Sequence, residues 1–155
     1  VRVLPPSPIE KEDTMATHAS RNTTTGLEFE LRAAQDRKDG ENISKTRLRS
    51  WCKERGVDIL DYLSWAFQPD EAYYLAETNE VVIYEKKFQQ TSGSADEKLG
   101  NCAWKIGEYR ALFAALGIDQ VSYIFIFNDW FKQDRYTKLL AYIKSVPGCD
   151  YFFAS

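Results

Sequence analysis

The chain has 155 residues, a formal net charge of −3 and a single histidine, His18. A chain of this length suits one domain and can bury a stable core without a disulfide or metal staple. The acidic balance gives no general attraction to nucleic acid or to anionic membranes. The lone histidine argues against Ser-His-Asp hydrolases, Cys-His proteases and nucleases that bind metal through histidine, so carboxylates, lysines or hydroxyls must carry any chemistry.

The cysteines argue against a secreted or zinc-binding protein. Cys52, Cys102 and Cys149 make an odd number and show no CxxC spacing, which is atypical of a disulfide framework and of a zinc site. They are predicted to be small buried side chains in a reducing, cytoplasmic environment. No apolar run approaches the ~20 residues of a membrane span.

The first 25 residues are rich in proline, serine, threonine and charge and have no apolar period. They predict a disordered or loosely attached tail, followed by one domain over residues 26–155. Met15 is a candidate natural start on its position alone.

Two helices are predicted next. The first covers residues 26–37, with Leu27, Leu31 and Ala34 on its inner face. The second covers residues 44–55, from a Ser44 cap to Gly56, and three of its residues follow the i, i+3, i+4 spacing of an inner face: Leu48, Trp51 and Cys52.

The outer face of the second helix is basic. It carries Lys45, Arg47, Arg49, Lys53 and Arg55. Such a face is either simply solvated or a patch that contacts phosphates, and it is the one place where this acidic chain concentrates positive charge.

A β-hairpin follows a segment, residues 58–67, whose pattern is ambiguous between helix and strand. Residues 71–77 and 81–89 are rich in β-formers and are joined through Thr78-Asn79, which predicts two antiparallel strands.

A long helix is predicted from the Ser94-x-x-Glu97 capping box to Leu116. Its apolar stripe consists of Leu99, Cys102, Ala103, Ile106, Tyr109, Leu112, Phe113 and Leu116. A strand over residues 121–128 is apolar on both faces, and a helix over 134–145, a Pro147-Gly148 turn and a last strand, CDYFF, complete the chain. The order predicts an α/β (α+β) fold, with a mixed sheet of four to five strands flanked by helices.

Charged residues interrupt the second strand of the hairpin. Ile83, Glu85, Lys87 and Gln89 share one face because side chains alternate along a strand, and pairing across the hairpin brings Asp70 near Glu85. Burying an unpaired charge costs several kcal/mol, so a chemical role is favoured. Two carboxylates can hold Mg²⁺, and a lysine beside them can orient or deprotonate water or offset charge on a phosphate.

This pattern resembles a known family. Pro69-Asp70, fourteen residues and then Glu85-Lys86-Lys87 is similar to the signature of the PD-(D/E)XK nuclease superfamily, the restriction-endonuclease-like fold. That fold consists of a helix, a three-stranded antiparallel meander, a helix and a further strand. The resemblance implies that Asp70 and Glu85 are Mg²⁺ ligands and that Lys87 is the catalytic lysine.

The resemblance extends to two more segments. The start of the first helix, GLEFE, resembles the helix that supplies a further glutamate in many members, which implies Glu30, with Glu28 second. QQTSGSADEK resembles the loop after the catalytic strand in restriction-type nucleases, where Gln89 would help to order the site.

The function expected from the resemblance is Mg²⁺-dependent hydrolysis of DNA by a restriction-type endonuclease acting as a homodimer. A junction-resolving or repair nuclease of the same fold is the nearest alternative. Another is a non-catalytic module that binds nucleic acid or protein through the basic helix, with Lys86 as a further contact. The less favoured alternative is that Lys86 and Lys87 lie on an exposed edge, with Glu85 in a surface ion pair. Asn128-Asp129 forms either a structural turn or a contact to nucleic acid.

Overall fold

One mixed β-sheet organises the protein. The computed structural model describes residues 18–91, 93 and 95–154. The strands, in chain order and in sheet order, are β1 (Glu41–Asn42), β2 (Glu71–Leu75), β3 (Glu80–Lys87), β4 (Gln120–Phe127) and β5 (Cys149–Phe153). β1, β2 and β3 pair antiparallel, whereas β3, β4 and β5 pair parallel. The predicted mixed sheet of four to five strands is confirmed.

Helices cover both faces of this sheet. They are α1 (His18–Asp39), α2 (Arg47–Glu54), α3 (Ala95–Lys98), α4 (Cys102–Ala114) and α5 (Thr137–Ser145). Short 3₁₀ turns span Ile59–Asp61, Leu99–Asn101, Asp129–Lys132 and Asp134–Tyr136. The predicted order of helix, helix, hairpin, long helix, strand, helix and strand is confirmed, and β1 is the one strand that the sequence did not predict.

The two faces of the sheet bury separate apolar cores. The larger core includes Ile83, Tyr123, Phe125 and Phe127 of the sheet, covered by residues of α2, α4 and α5. The smaller core lies under α1 and consists of Ala33, Tyr73, Val82, Tyr84, Ile124, Ile126 and Phe152, with Phe29 packed against it. β4 is therefore buried on both sides, as its composition predicted.

The first helix differs from its prediction in start and in orientation. It begins at His18 instead of residue 26, so residues 18–25, assigned to the tail, are helical, and residues 1–17 lie outside the described part of the chain. Leu27 and Leu31 are 57% and 62% exposed. Phe29 and Ala33 face the sheet instead, because the Phe29 ring stacks on Phe152 at 5.5 Å and covers more apolar surface than the leucines would.

The long helix predicted over residues 94–116 is broken. A 3₁₀ turn separates α3 from α4 and contains Gly100, a residue of low helix propensity. Six of the eight predicted core positions are buried, while Ala103 is exposed and Leu116 is half-buried. The proposed Ser94 cap lies outside the described residues.

The second helix keeps its predicted inner face but has a different start. It begins after Thr46, and the hydroxyl of Ser44 accepts a hydrogen bond from the Ala72 amide at 2.9 Å instead of capping the helix. Gly56, with φ +79°, ends the helix as predicted.

Tyr84→Phe is expected to destabilise the fold by about 1–3 kcal/mol. The buried Tyr84 hydroxyl donates to Oδ2 of Asp36 at 2.6 Å, and Asp36 itself is buried, so the variant leaves a desolvated carboxylate without that donor. Tyr73→Phe is the matched control, since Glu71 loses the Tyr73 hydroxyl but keeps Arg37 at 2.7 Å. Urea unfolding of both variants tests this, and equal losses would contradict it.

Candidate active site

Asp70 and Glu85 meet at one end of the sheet. Glu71 pairs with Tyr84 across the hairpin, so Asp70 comes opposite Glu85. The Asp70 amide donates to Oε1 of Glu85 at 3.4 Å, and the Lys86 amide donates to Oδ2 of Asp70 at 3.1 Å. The backbone of the hairpin thus holds both carboxylates in place, as the sequence predicted.

Glu85 is a buried acid in a central strand. Only 6% of its surface is exposed, and β3 lies between β2 and β4, so the edge-strand interpretation of this glutamate is wrong. It forms no ion pair with any of the residues that the structure describes. Burial, and then the negative charge of Asp70, raise the pKa of Glu85 to about 7, against the opposing pull of Lys87 and Lys105.

Two phenols form the floor under these carboxylates. Tyr109 of α4 and Tyr123 of β4 are buried, with ring centroids 6.1 Å apart. Burial is the main reason that the pKa of each phenol is raised, and the charges of Glu85 and Asp70 add to it. Both phenols therefore stay neutral.

Lys105 is a cation of this site that the sequence analysis missed. It lies on α4 and acts electrostatically on Glu85, and its Nζ is 5.9 Å from the centre of the Phe67 ring. The signal was present in the sequence, because Lys105 stands directly before Ile106 and four residues before Tyr109, at the edge of the inner stripe of α4.

Lys87 and Gln89 lie at the end of β3. Lys87 is half-buried and shares the face of Glu85 by strand alternation. The backbone amide of Gln89 donates a hydrogen bond to Oδ1 of Asn128 at 3.2 Å. Nδ2 of Asn128 donates in return to the backbone carbonyl of Gln89 at 2.7 Å. Asn128 thereby joins the ends of two parallel strands, which supports its structural interpretation.

The side chain of Gln89 connects the site to the following loop. Its Nε2 donates to the Thr91 carbonyl at 2.8 Å and to Asp96 at 3.4 Å. Asp96 also accepts a hydrogen bond from Tyr136 and pairs with Arg135 at 3.1 Å. Oε1 of Gln89 is buried and has no hydrogen-bond partner among the described residues.

The structure does not bring the two predicted helix glutamates onto the face of Glu85. Glu28 and Glu30 lie on α1, which packs over the opposite face of the sheet, and Glu30 is half-buried there. Lys86 is exposed and also points to the α1 side by strand alternation.

The segment that leads into the basic helix is bonded to the residue before Asp70. The Lys45 amide donates to the Pro69 carbonyl at 2.8 Å, one residue before Asp70. The predicted contacts Lys45, Arg47, Arg49 and Lys53 are all exposed. Lys45 and Arg49 line a pocket of about 160 Å³ that also contains Phe67, and Arg49 and Lys53 line a depression of about 380 Å³.

Arg55, by contrast, is engaged within the protein. Its guanidinium carbon lies 3.9 Å from the centre of the Trp51 ring, and a nitrogen lies 3.8 Å from Glu41.

The carboxylate pair fits Mg²⁺. Asp70 and Glu85 both offer carboxylate oxygens, and their negative charges repel each other, which contributes to the raised pKa of Glu85. A divalent cation bound between them would relieve this repulsion. Mg²⁺ commonly takes only one or two carboxylates and completes its shell with water and phosphate oxygens. Within the described residues, no cluster of three or more histidine, cysteine, aspartate or glutamate side chains forms.

Comparison with known proteins gives no family assignment. No family model, no curated protein and no solved structure matches the chain. Among the described residues, no helix has the length and apolar character needed to cross a membrane.

Proposed function

We propose that this protein is a Mg²⁺-dependent endonuclease that hydrolyses DNA phosphodiester bonds within a restriction-endonuclease-like fold. The observation that carries the proposal is Glu85, a buried acid without an ion pair among the described residues, held against Asp70 at the end of the sheet. Supporting it, α1 precedes three antiparallel strands, β1, β2 and β3, with α2 inserted between β1 and β2, and α4 lies between β3 and the parallel strand β4.

Each residue of the site has a role in this proposal. Asp70 and Glu85 would hold Mg²⁺, which polarises a phosphoryl oxygen and lowers the pKa of a water molecule. Lys87 is the catalytic residue that orients the attacking water, accepts its proton or offsets the charge that gathers on the phosphate. Lys105 adds positive charge from α4.

Gln89 is a positioning residue, because its backbone and side chain connect the end of β3 to β4 and to the following loop. The basic side chains of α2 supply the phosphate contacts that a chain of net charge −3 otherwise lacks. A chain of this length carries one such site, and concerted cleavage of both strands uses two sites, so a homodimer is part of the proposal, as is a cytoplasmic location.

The first experiment incubates the purified protein with supercoiled, linear and branched DNA, in Mg²⁺ or in EDTA. We expect cleavage in Mg²⁺ and none in EDTA. Discrete fragments from linear duplex indicate a restriction enzyme, and cleavage of branched DNA alone indicates a junction-resolving or repair nuclease. A folded protein that binds these DNAs and cuts none of them would contradict the proposal in favour of a binding module.

A further inference from the structure

Three aromatic side chains form a surface beside the candidate site. The ring centroids of Trp65 and Trp104 are 5.1 Å apart, and Phe67 lies 4.8 Å from Trp65 and 5.4 Å from Trp104. Trp65 is 58% and Trp104 42% exposed, whereas Phe67 is buried beneath them. We call the two indoles the tryptophan platform. Two tryptophans exposed side by side are characteristic of a binding surface.

The platform is continuous with the carboxylates. The Phe67 ring contacts Tyr109 edge-on at 5.8 Å, and Tyr109 is the phenol on which the charges of Glu85 and Asp70 act. Phe67 also stands three residues before Asp70 in the chain. A ligand on the indoles would therefore lie on the same side of the sheet as Glu85.

The segment that carries Trp65 is held in place. The backbone amide of Ser64 donates to Oε1 of Glu108 at 3.1 Å, and the Ser64 hydroxyl bonds to the same oxygen. The Phe67 amide donates to the Trp65 carbonyl at 2.8 Å. These bonds fix the loop against α4, so the indoles lose little freedom when a ligand binds.

Three cationic side chains lie near Phe67, the ring beneath the platform. Lys105 lies 5.9 Å from the Phe67 ring, and Lys45 and Arg49 share a pocket with Phe67. The two indole planes are tilted by 42°, so each presents its own face, and an exposed indole face bordered by cations matches a nucleobase with its phosphates. An apolar partner surface would gain nothing from the cations.

We propose that the tryptophan platform stacks an unpaired base of the DNA substrate and thereby places the adjoining phosphate at Asp70 and Glu85. This proposal rests on the nuclease function proposed above. In a fully paired duplex the faces of the bases are covered by their neighbours, so only a single-stranded, gapped or branched substrate offers a free face. The platform thus favours a structure-specific nuclease over a restriction enzyme that reads intact duplex.

The test measures binding in EDTA, where no cleavage occurs. Fluorescence anisotropy gives the affinity of the full chain for a labelled 15-nucleotide single strand and for the blunt duplex of the same sequence. Replacing both Trp65 and Trp104 with alanine is expected to weaken single-strand binding at least about fivefold, and to leave duplex binding unchanged. Replacing both with phenylalanine should restore most of the loss.

Tyr142→Ala is the matched control, since Tyr142 is an equally exposed aromatic residue on α5 (41% exposed). It should leave both affinities unchanged, and circular dichroism establishes that every variant is folded. Equal binding of the single strand by the wild type and the double alanine variant overturns the proposal. A change of oligomeric state in that variant also overturns it, because the platform would then lie between two copies of the chain.

The two proposals fail separately. If the single strand binds through the platform but no DNA is cut in Mg²⁺, the platform stands and the nuclease does not. If a gapped or branched substrate is cut at the same rate by the wild type and the double alanine variant, the nuclease stands and the platform is overturned.

Discussion

Lys87→Ala is expected to lower the rate of DNA cleavage by at least about 10³-fold while leaving DNA affinity within a few fold. Lys87 shares the strand face of Glu85 and acts electrostatically on it. Removing it takes away the group that orients or deprotonates water, or the charge that stabilises the phosphate. Single-turnover cleavage in Mg²⁺ measures the rate, and binding in EDTA measures the affinity.

Lys86→Ala is the matched control for this variant. Lys86 is the adjacent residue of the same strand, has the same charge, and points to the opposite side of the sheet. Its loss should change cleavage by no more than a few fold. If both lysine variants lost cleavage equally, the lysines would be acting by general attraction of DNA, and a specific role for Lys87 would be contradicted.

Strand alternation explains why the core of the candidate site was predictable. In a strand the side-chain period is two, so a single charged residue among valines and isoleucines fixes which of its neighbours share its face. The hairpin join at Asn79, with φ +52°, then set the register that brings Asp70 opposite Glu85. Both steps need only local sequence.

The helix glutamates show where such reasoning fails. Several overlapping stripes on α1 have helical spacing, and only contact with Phe152 selects the one that contains Phe29. The face of α1, and with it the position of Glu30, therefore depends on packing against a strand more than a hundred residues away in the chain. No local pattern specifies that contact.

The tryptophan platform and Lys105 were missed for a related reason. Trp65 lies in residues 58–67, whose apolar pattern has no clear period. The loop that carries Trp65 is held through Ser64 by Glu108 of α4, a helix that is distant in the chain. Trp104 and Lys105 lie beside the apolar stripe of α4. Whether they belong to a site therefore depends on which element packs next to them. Tertiary contacts, and not propensity, bring these residues to the carboxylates.

Glu85→Gln is expected to stabilise the metal-free protein by up to about 3 kcal/mol at pH 8 and by nothing near pH 4.5. The rise in the pKa of Glu85 from 4.5 to about 7 corresponds to about that free energy. Between pH 4.5 and about pH 7, the carboxyl group of Glu85 is ionised in the unfolded chain but still protonated in the native state. The stability of the wild type therefore falls as the pH rises through this range. Above pH 7 the buried charge carries its full cost.

The groups that face Glu85 are Asp70, Lys87, Lys105, Tyr109 and Tyr123. Of these, Asp70 opposes the ionisation of Glu85, the two phenols stay neutral, and the two lysines relieve the buried charge only in part.

Urea unfolding of both proteins from pH 4.5 to 8, in EDTA and in Mg²⁺, measures the stability difference directly. A cation bound to the carboxylate pair stabilises only the folded state. Mg²⁺ should therefore stabilise the wild type at pH 8 and shrink the advantage of the Gln variant, which keeps the shape of the side chain but loses its charge. If the two proteins showed the same pH dependence, the buried charge of Glu85 would not be costly. If Mg²⁺ stabilised both equally, the cation would be bound elsewhere, and the assignment of Asp70 and Glu85 as its ligands would be wrong.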